Sequence, residues 1–224
     1  MTGPAPAQRT YGRIKGRPIK PRQGALLETL LPKIAVPDGP VDPQALMPAA
    51  EETWLEIGFG GGEHLAAQAQ AHPDALIIGA EPFLNGAASA LRHVDEIALG
   101  NVRLHVGDGR DVLARLPAAS LTRIYVLFPD PWQKLRHHKR RLLQDDVIAD
   151  MGRALASGGR LRFATDWADY ADWTLERLIR SPLFDWPALR ADDWRRPWPD
   201  HAPTRYEQKR LGDCAPVYFE FVRR

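Results

Sequence analysis

Thr53-Trp54-Leu55-Glu56-Ile57-Gly58-Phe59-Gly60-Gly61-Gly62 is the stretch that decides the fold. A short apolar run ends in a glycine-rich turn, and an amphipathic stretch follows. That order predicts a strand over 53–59 and a helix over 62–71. Glycines at such a junction let the backbone turn tightly and approach a ligand closely. The free N–H groups of the helix start face the same place.

Working outward, the same alternation repeats. Compact apolar runs predict strands over 75–81, 102–107, 123–128 and 159–165, and amphipathic runs predict helices over 84–97, 111–116, 142–155 and 170–181. Strands alternating with helices imply a mostly parallel sheet covered on both faces. The closing run Ala215-Pro216-Val217-Tyr218-Phe219-Glu220-Phe221-Val222 predicts an antiparallel edge strand. Between 182 and 203, five prolines alternate with Trp186, Trp194 and Trp198, which reads as an irregular loop pinned by aromatic packing. Upstream, helical spacing from Arg22 to Leu31 should be closed by Pro32, and 36–48, with four prolines, reads as a linker. The chain thus divides into a basic flexible arm, short helix and linker over 1–50 and an α/β domain over 51–224.

At 224 residues the chain can bury a large core without a metal or disulfide staple. No apolar run approaches the roughly 18–20 residues that span a bilayer, and the basic N-terminus lacks the apolar core of a signal peptide. Cys214 is the only cysteine, which excludes intrachain disulfides and fits a reducing cytoplasm. The net charge of +2 hides two basic clusters. One holds Arg9, Arg13, Lys15, Arg17, Lys20 and Arg22; the other reads Lys134, Arg136, His137, His138, Lys139, Arg140, Arg141. Basic patches on a near-neutral chain point to a polyanion met by one face.

Gly58 and Gly60 open a turn that suits a dinucleotide or S-adenosyl-L-methionine. The dinucleotide fingerprint would need glycine at position 63, where Glu63 stands and would repel a pyrophosphate. S-adenosylmethionine carries no phosphate, and Glu56 beside its α-ammonium is an asset. Glu81, closing the second strand, can accept both ribose hydroxyls, and Asp108, after the third, can meet the adenine amino group. Strand ends also collect acids as helix N-caps, the competing reading for Asp108.

The fourth strand ends in Phe128-Pro129-Asp130-Pro131-Trp132, a rigid platform able to present one acid beside an aromatic wall. It is similar to the D-P-P-[YFW] tetrad of amino-group methyltransferases, with one proline rather than two between Asp130 and Trp132. With Lys134 and the His-Lys-Arg-Arg run, it resembles the tRNA (guanine-N7-)-methyltransferase family. Thr204-Arg205-Tyr206-Glu207 followed by Arg210-Leu211-Gly212 resembles that family's tail motif. Thr165-Asp166-Trp167 and Arg17…Arg22-Gln23 extend the likeness, which runs from about Tyr11 to the C-terminus.

The resemblance implies a class I methyltransferase fold: α/β, a mostly parallel seven-stranded sheet with helices on both faces and an antiparallel C-terminal strand. It implies Glu56, Glu81 and Asp108 as cofactor ligands and Asp130 as the active-site acid lying against the cofactor. Lys134, Asp166, Thr204, Arg205, Tyr206 and Glu207 would contact substrate. The target would be the variable-loop guanine at tRNA position 46, and the enzyme a monomer or homodimer without metal or membrane. Pro82 and Gly109 depart from the family, where small apolar residues and alanine are common; little effect is expected at Gly109.

Guanine N7 has a free lone pair, so methyl transfer to it needs no general base. In-line positioning and a carboxylate offsetting the charge that develops on the ring are what help. Asp130 or Asp166 would hold the N1–H and N2 edge. For His137 and His138, lacking companion ligands, phosphate contact outweighs metal binding. The competing readings are a methyltransferase for another RNA base or amine, a nicotinamide-dependent oxidoreductase, and a non-catalytic RNA-binding protein. Several Lys and Arg side chains should displace counterions from phosphates, so RNA affinity is expected to fall steeply with salt. Affinity that stays flat from low to moderate salt would contradict a basic docking face.

Overall fold

In the computed structural model, residue 16 and residues 18–224 are described. The predicted basic arm lies outside them, apart from Gly16 and the residues from Pro18 onward. Helix α1 (Pro21–Thr29) is followed directly by α2 (Leu31–Ile34) and then α3 (Pro43–Leu46). Pro32 does not close the leading helix as the sequence suggested. It sits in the first turn of α2, where its missing N–H and fixed φ cost nothing. The proline-rich linker holds α3 because Asp42 caps it, accepting from the Gln44 N–H at 3.0 Å.

The domain then alternates as the pattern predicts: β1 (Glu52–Ile57), α4 (Glu63–Ala71), β2 (Ala75–Ala80), α5 (Leu84–Glu96), β3 (Val102–His105), α6 (Gly109–Arg115) and β4 (Leu121–Leu127). After a 3₁₀ turn (Leu135–Arg140) come α7 (Asp145–Ala154), β5 (Leu155–Thr165) and α8 (Ala168–Arg180). The chain ends with β6 (Phe184–Asp185), α9 (Asp192–Arg195), α10 (Arg205–Lys209) and β7 (Val217–Arg223). The sheet order is β3-β2-β1-β4-β5-β7-β6, and β7 runs antiparallel to both its neighbours. β5 starts earlier than predicted because its pairing with β4 breaks and resumes around Gly158, whose φ is +79°. β6 and α9 lie in the stretch read as irregular; both are too short for periodicity to reveal.

Alternate residues of the central strands enter separate cores. Leu55, Ile57, Ile124, Val126, Leu161 and Phe163 face α6, α7 and α8, while Trp54, Tyr125 and Ala164 face the side of α4 and α5. Trp186 stacks on Phe221 at 6.0 Å and Trp194 lies 6.3 Å from Phe219, so packing accounts for these tryptophans. On the α4 side, β4 and β5 carry Arg123 and Arg162 inward. Asp200 meets both, at 2.8 Å and 2.7 Å, and Arg162 also bonds Glu220 at 2.7 Å. Gln68 of α4 donates to the Asp200 carbonyl at 2.6 Å. This network fastens the segment before α10 onto the sheet.

Burial alone would raise the Asp200 carboxyl, but Arg162 and Arg123 outweigh it and hold the group below the usual range. Such a carboxylate contributes fully above its unfolded value near 3.9 and loses its contribution as pH falls through the lowered folded value. Asp200→Asn is expected to cost about 2 kcal/mol, less than a fully buried pair because the carboxylate is partly solvated. In denaturant unfolding, the gap to wild type should stay level down to about pH 4 and shrink only below it. A gap already closing near pH 6 would contradict this assignment.

Candidate active site

The order of the sheet reverses between β1 and β4, so their carboxyl ends leave a crevice between diverging crossovers. Here Gly58 and Gly60 adopt φ of +79° and +55°, which residues with a Cβ rarely tolerate. The Gly58 N–H donates to the Ala80 carbonyl at 2.8 Å, joining the turn to β2. Glu81 completes the bracing: its two oxygens accept from the N–H groups of Gly60 and Phe83, each at 2.8 Å. A Cβ on Gly86 would fall 2.3 Å from the Gly60 carbonyl, so α5 presses close to the turn. The resulting cavity, about 470 Å³, is lined by Glu56, Gly58, Gly60, Glu81, Asp108, Asp130, Thr204, Arg205 and Tyr206 among others. Nine of the twelve residues expected to bind cofactor or substrate thus line one cavity; Lys134, Asp166 and Glu207 do not.

Each acid has a distinct setting. Glu56 is buried, 2.8 Å from His64 Nδ1. Burial pushes the Glu81 carboxyl up, despite its two backbone donors, and the charges of Asp130 and Glu56 push the same way. Asp108 takes the N-cap role and also faces the cavity. It caps α6 through the Arg110 N–H at 3.0 Å and pairs with the Arg110 guanidinium while lining the cavity. At Gly109, where little effect of alanine was expected, a Cβ would stand 2.5 Å from the Ile57 side chain, so Ile57 would have to give way.

Phe128 and Trp132 flank the Pro-Asp-Pro segment at φ of +49° and +44°. The left-handed region costs a residue with a Cβ about 1–2 kcal/mol, so the surroundings must hold the loop. Arg141 does so: its Nε donates to the Pro131 carbonyl at 2.9 Å, and it ion-pairs with Asp169. Its guanidinium also lies 4.9 Å from the Tyr170 ring and 5.0 Å from that of Trp173. Arg141 is therefore a buried strut rather than part of a docking face. His138 is a correction as well. It sits 3.3 Å from Asp169 and edge-on to Trp173, not free for phosphate. Asp130 stands at the mouth of the cavity, where the flanking walls displace water and raise its pKa. Arg140 lies 5.0 Å over the Trp132 ring, and both line the cavity. Lys134 is exposed and precedes the 3₁₀ turn, away from the cavity lining.

Thr204-Arg205-Tyr206-Glu207, which without the family pattern reads only as a polar loop, starts α10 with a capping box. The Glu207 N–H donates to Thr204 Oγ1 at 3.1 Å, and the Thr204 N–H donates to Glu207 Oε2 at 3.3 Å. A Thr-x-x-Glu signature was present in the sequence and would have revealed this helix. Glu207 also meets His201 Nε2 at 2.8 Å and accepts from the Tyr218 hydroxyl. Burial opposes its ionisation, but these donors prevail and lower its pKa. Arg205 reaches Glu63 at 3.3 Å, across from the glycine turn.

Asp166 and Glu207 line a second cavity of about 870 Å³, and Trp167, next to Asp166 in the chain, donates to the Tyr206 hydroxyl at 3.3 Å. Asp166 accepts the Gly212 N–H on Oδ2 at 2.8 Å, while its buried Oδ1 has no hydrogen-bond partner among the described residues. Cys214 lines the same cavity. Burial, with Asp213 and Asp166 nearby, pushes its thiol up, so it is no activated nucleophile.

Among the described residues, no group of three or more His, Cys, Asp or Glu side chains could hold a metal ion, and no helix is long and apolar enough to cross a membrane. The carboxylates of the first cavity suit a cationic ligand and oppose a pyrophosphate. Both Glu81 oxygens keep lone pairs after their backbone bonds, enough for a pair of hydroxyls. S-adenosylmethionine fits this donor set.

A family model described as "Putative methyltransferase" matches residues 50–219. The tRNA (guanine-N(7)-)-methyltransferase of Caulobacter sp. (strain K31) is 60% identical over 218 residues, covering 96% of this chain and 95% of that protein. The enzyme of the same name from Hyphomonas neptunium is 51% identical over 215 residues, covering 95% and 98%. The 16S rRNA (adenine(1408)-N(1))-methyltransferase from Catenulisporales acidiphilia shares the fold, with a TM-score of 0.54 at 18% identity over 85% of this chain and 97% of its own. Fold and cavity together define a class I methyltransferase that uses S-adenosylmethionine. The chain belongs to the tRNA (guanine-N(7)-)-methyltransferase family.

Proposed function

We propose that this protein transfers a methyl group from S-adenosylmethionine to N7 of a guanine in tRNA, the variable-loop guanine at position 46, in the cytoplasm as a monomer or homodimer. The observation that carries the reading is one cavity joining the acids Glu56, Glu81 and Asp108 to Asp130 and to Thr204, Arg205 and Tyr206. The extent of identity to relatives bearing that name supports the substrate.

When bound, S-adenosylmethionine supplies an electrophilic methyl on its sulfonium. The chain's part is binding, orientation and electrostatics. Glu56 takes the α-ammonium, Glu81 the ribose hydroxyls and Asp108 the adenine edge. Asp130, at the cavity mouth, offsets the positive charge that develops on guanine as N7 is methylated. Phe128 and Trp132, held in strained conformations, fix where Asp130 stands. Asp130 is also the acceptor for the N1–H and N2 edge, since Asp166 lines a different cavity and its Oδ1 is buried, and Tyr206 walls the first cavity. Lys134, Arg205 and the exposed cations of the 3₁₀ turn meet phosphate, and Thr204 and Glu207 keep the α10 start in place. No residue needs to remove a proton from N7.

Incubation with labelled S-adenosylmethionine and tRNA lacking the modification is expected to yield labelled 7-methylguanosine, lost when the variable-loop guanine is replaced. Transfer to a different base or atom would overturn the reading. Glu81→Gln should weaken cofactor binding about 10- to 100-fold at neutral pH, the equivalent of one charge-assisted hydrogen bond. A carboxyl with a raised pKa takes up its proton above the ordinary value near 4.3, so wild-type affinity should fall on acidification from above that pH. The Gln variant should lack this step in a calorimetric titration, and an identical pH profile for both proteins would exclude Glu81.

A further inference from the structure

His64 is the most buried titratable side chain next to the cavity that the mechanism above leaves without a role. It lies at the start of α4, 1% exposed, with its Nδ1 2.8 Å from Glu56 Oε2. Among the described residues, it is the hydrogen-bond partner that the Glu56 carboxylate has. Glu56 lines the cavity and His64 does not, so the imidazole stands behind the carboxylate and cannot touch what enters. The ring is itself fixed: Tyr125 meets it edge-on at 4.7 Å, and the His201 ring lies 5.7 Å away. In the tautomer with hydrogen on Nδ1, the ring donates to the Glu56 carboxylate.

We infer that His64 is a positioning residue for methyl-donor binding, orienting the Glu56 carboxylate towards the cofactor's α-ammonium. A glutamate has several rotatable bonds, and at the edge of a roomy cavity an unheld carboxylate would lose entropy each time it met a ligand. A buried donor locked by two aromatic neighbours removes that freedom beforehand. The fastening continues outward. His201, beside His64, bonds Glu207, which caps the helix that presents Thr204, Arg205 and Tyr206 to the same cavity. The role rests on the reading that Glu56 receives the α-ammonium, and it predicts an effect on cofactor affinity rather than on the methyl-transfer step.

Three variants separate the possibilities: Glu56→Gln, His64→Phe and His64→Asn. Phe keeps an aromatic ring in the site without the donor, whereas Asn places an N–H near the position of Nδ1. Cofactor affinity is measured by calorimetry, and KM and kcat with unmodified tRNA. H64F is expected to raise Kd and KM for S-adenosylmethionine on the order of 10-fold, leaving kcat at saturation within about 2-fold. H64N should return affinity to within about 3-fold of wild type. If E56Q binds the cofactor as wild type does, the reading of Glu56 fails. If E56Q is weakened but H64F is not, the role of His64 alone falls. H64N as weak as H64F would assign the effect to ring packing, and a loss confined to kcat would equally overturn it. In the unmutated protein, the ¹⁵N resonance of His64 Nδ1 should shift when S-adenosylmethionine is added. A resonance that stays still would contradict the inference even if H64F fails to fold.

Discussion

Carboxylates crowded at one edge of a parallel sheet set the terms for everything else in this molecule. Glu56, Glu81, Asp108 and Asp130 all come from strand ends that topology forces together at the reversal between β1 and β4. Burial and mutual repulsion push the Glu81 carboxyl up, and burial does the same at Asp130. The fold tolerates this because three of the four acids have local support: backbone N–H groups for Glu81, Arg110 for Asp108 and His64 for Glu56. What the cluster lacks is a mobile cation, and a sulfonium carrying an ammonium supplies one. A dinucleotide would bring further negative charge into the same place.

The second constraint is how the C-terminal segment reaches this edge. β7 lies beside β5, and the chain preceding it is fastened to the α4 face of the sheet at β4 and β5. Polar groups make that junction. Arg123 and Arg162 point inward, Asp200 joins them, and Glu207 gathers donors from His201, Tyr218 and Thr204. The start of α10 is thereby set at the cavity rim. The cavity edge and the start of α10 are held by neighbouring parts of one polar layer.

Much of this was legible in the sequence, for identifiable reasons. The strand–glycine–helix junction at 53–62 carries its period in its own residues, and so do the central strands and longer helices. Glu81 and Asp130 could be singled out because strand ends at this edge are where ligands bind. Other features depend on partners far away in the chain. β6 is two residues long and exists only through β7. The burial of Arg141 and the pairing of His138, both read as part of a basic face, depend on α8 supplying Asp169, Tyr170 and Trp173. Nothing in the sequence around His64 announces that it faces Glu56. The capping box at Thr204 is local and readable as Thr-x-x-Glu, although the stretch otherwise reads as a polar loop.

The central claim, that an acidic cavity selects a cationic methyl donor, is open to a direct calorimetric test. S-adenosylmethionine is titrated into the protein in two mildly acidic buffers that differ in heat of ionisation, with a nicotinamide dinucleotide as the comparison ligand. Binding of the cation should lower the carboxyl pKa values, so the apparent enthalpy should differ between buffers by an amount that reports proton release, and the dinucleotide should not bind. Buffer-independent heats together with dinucleotide binding in the same cavity would contradict the account.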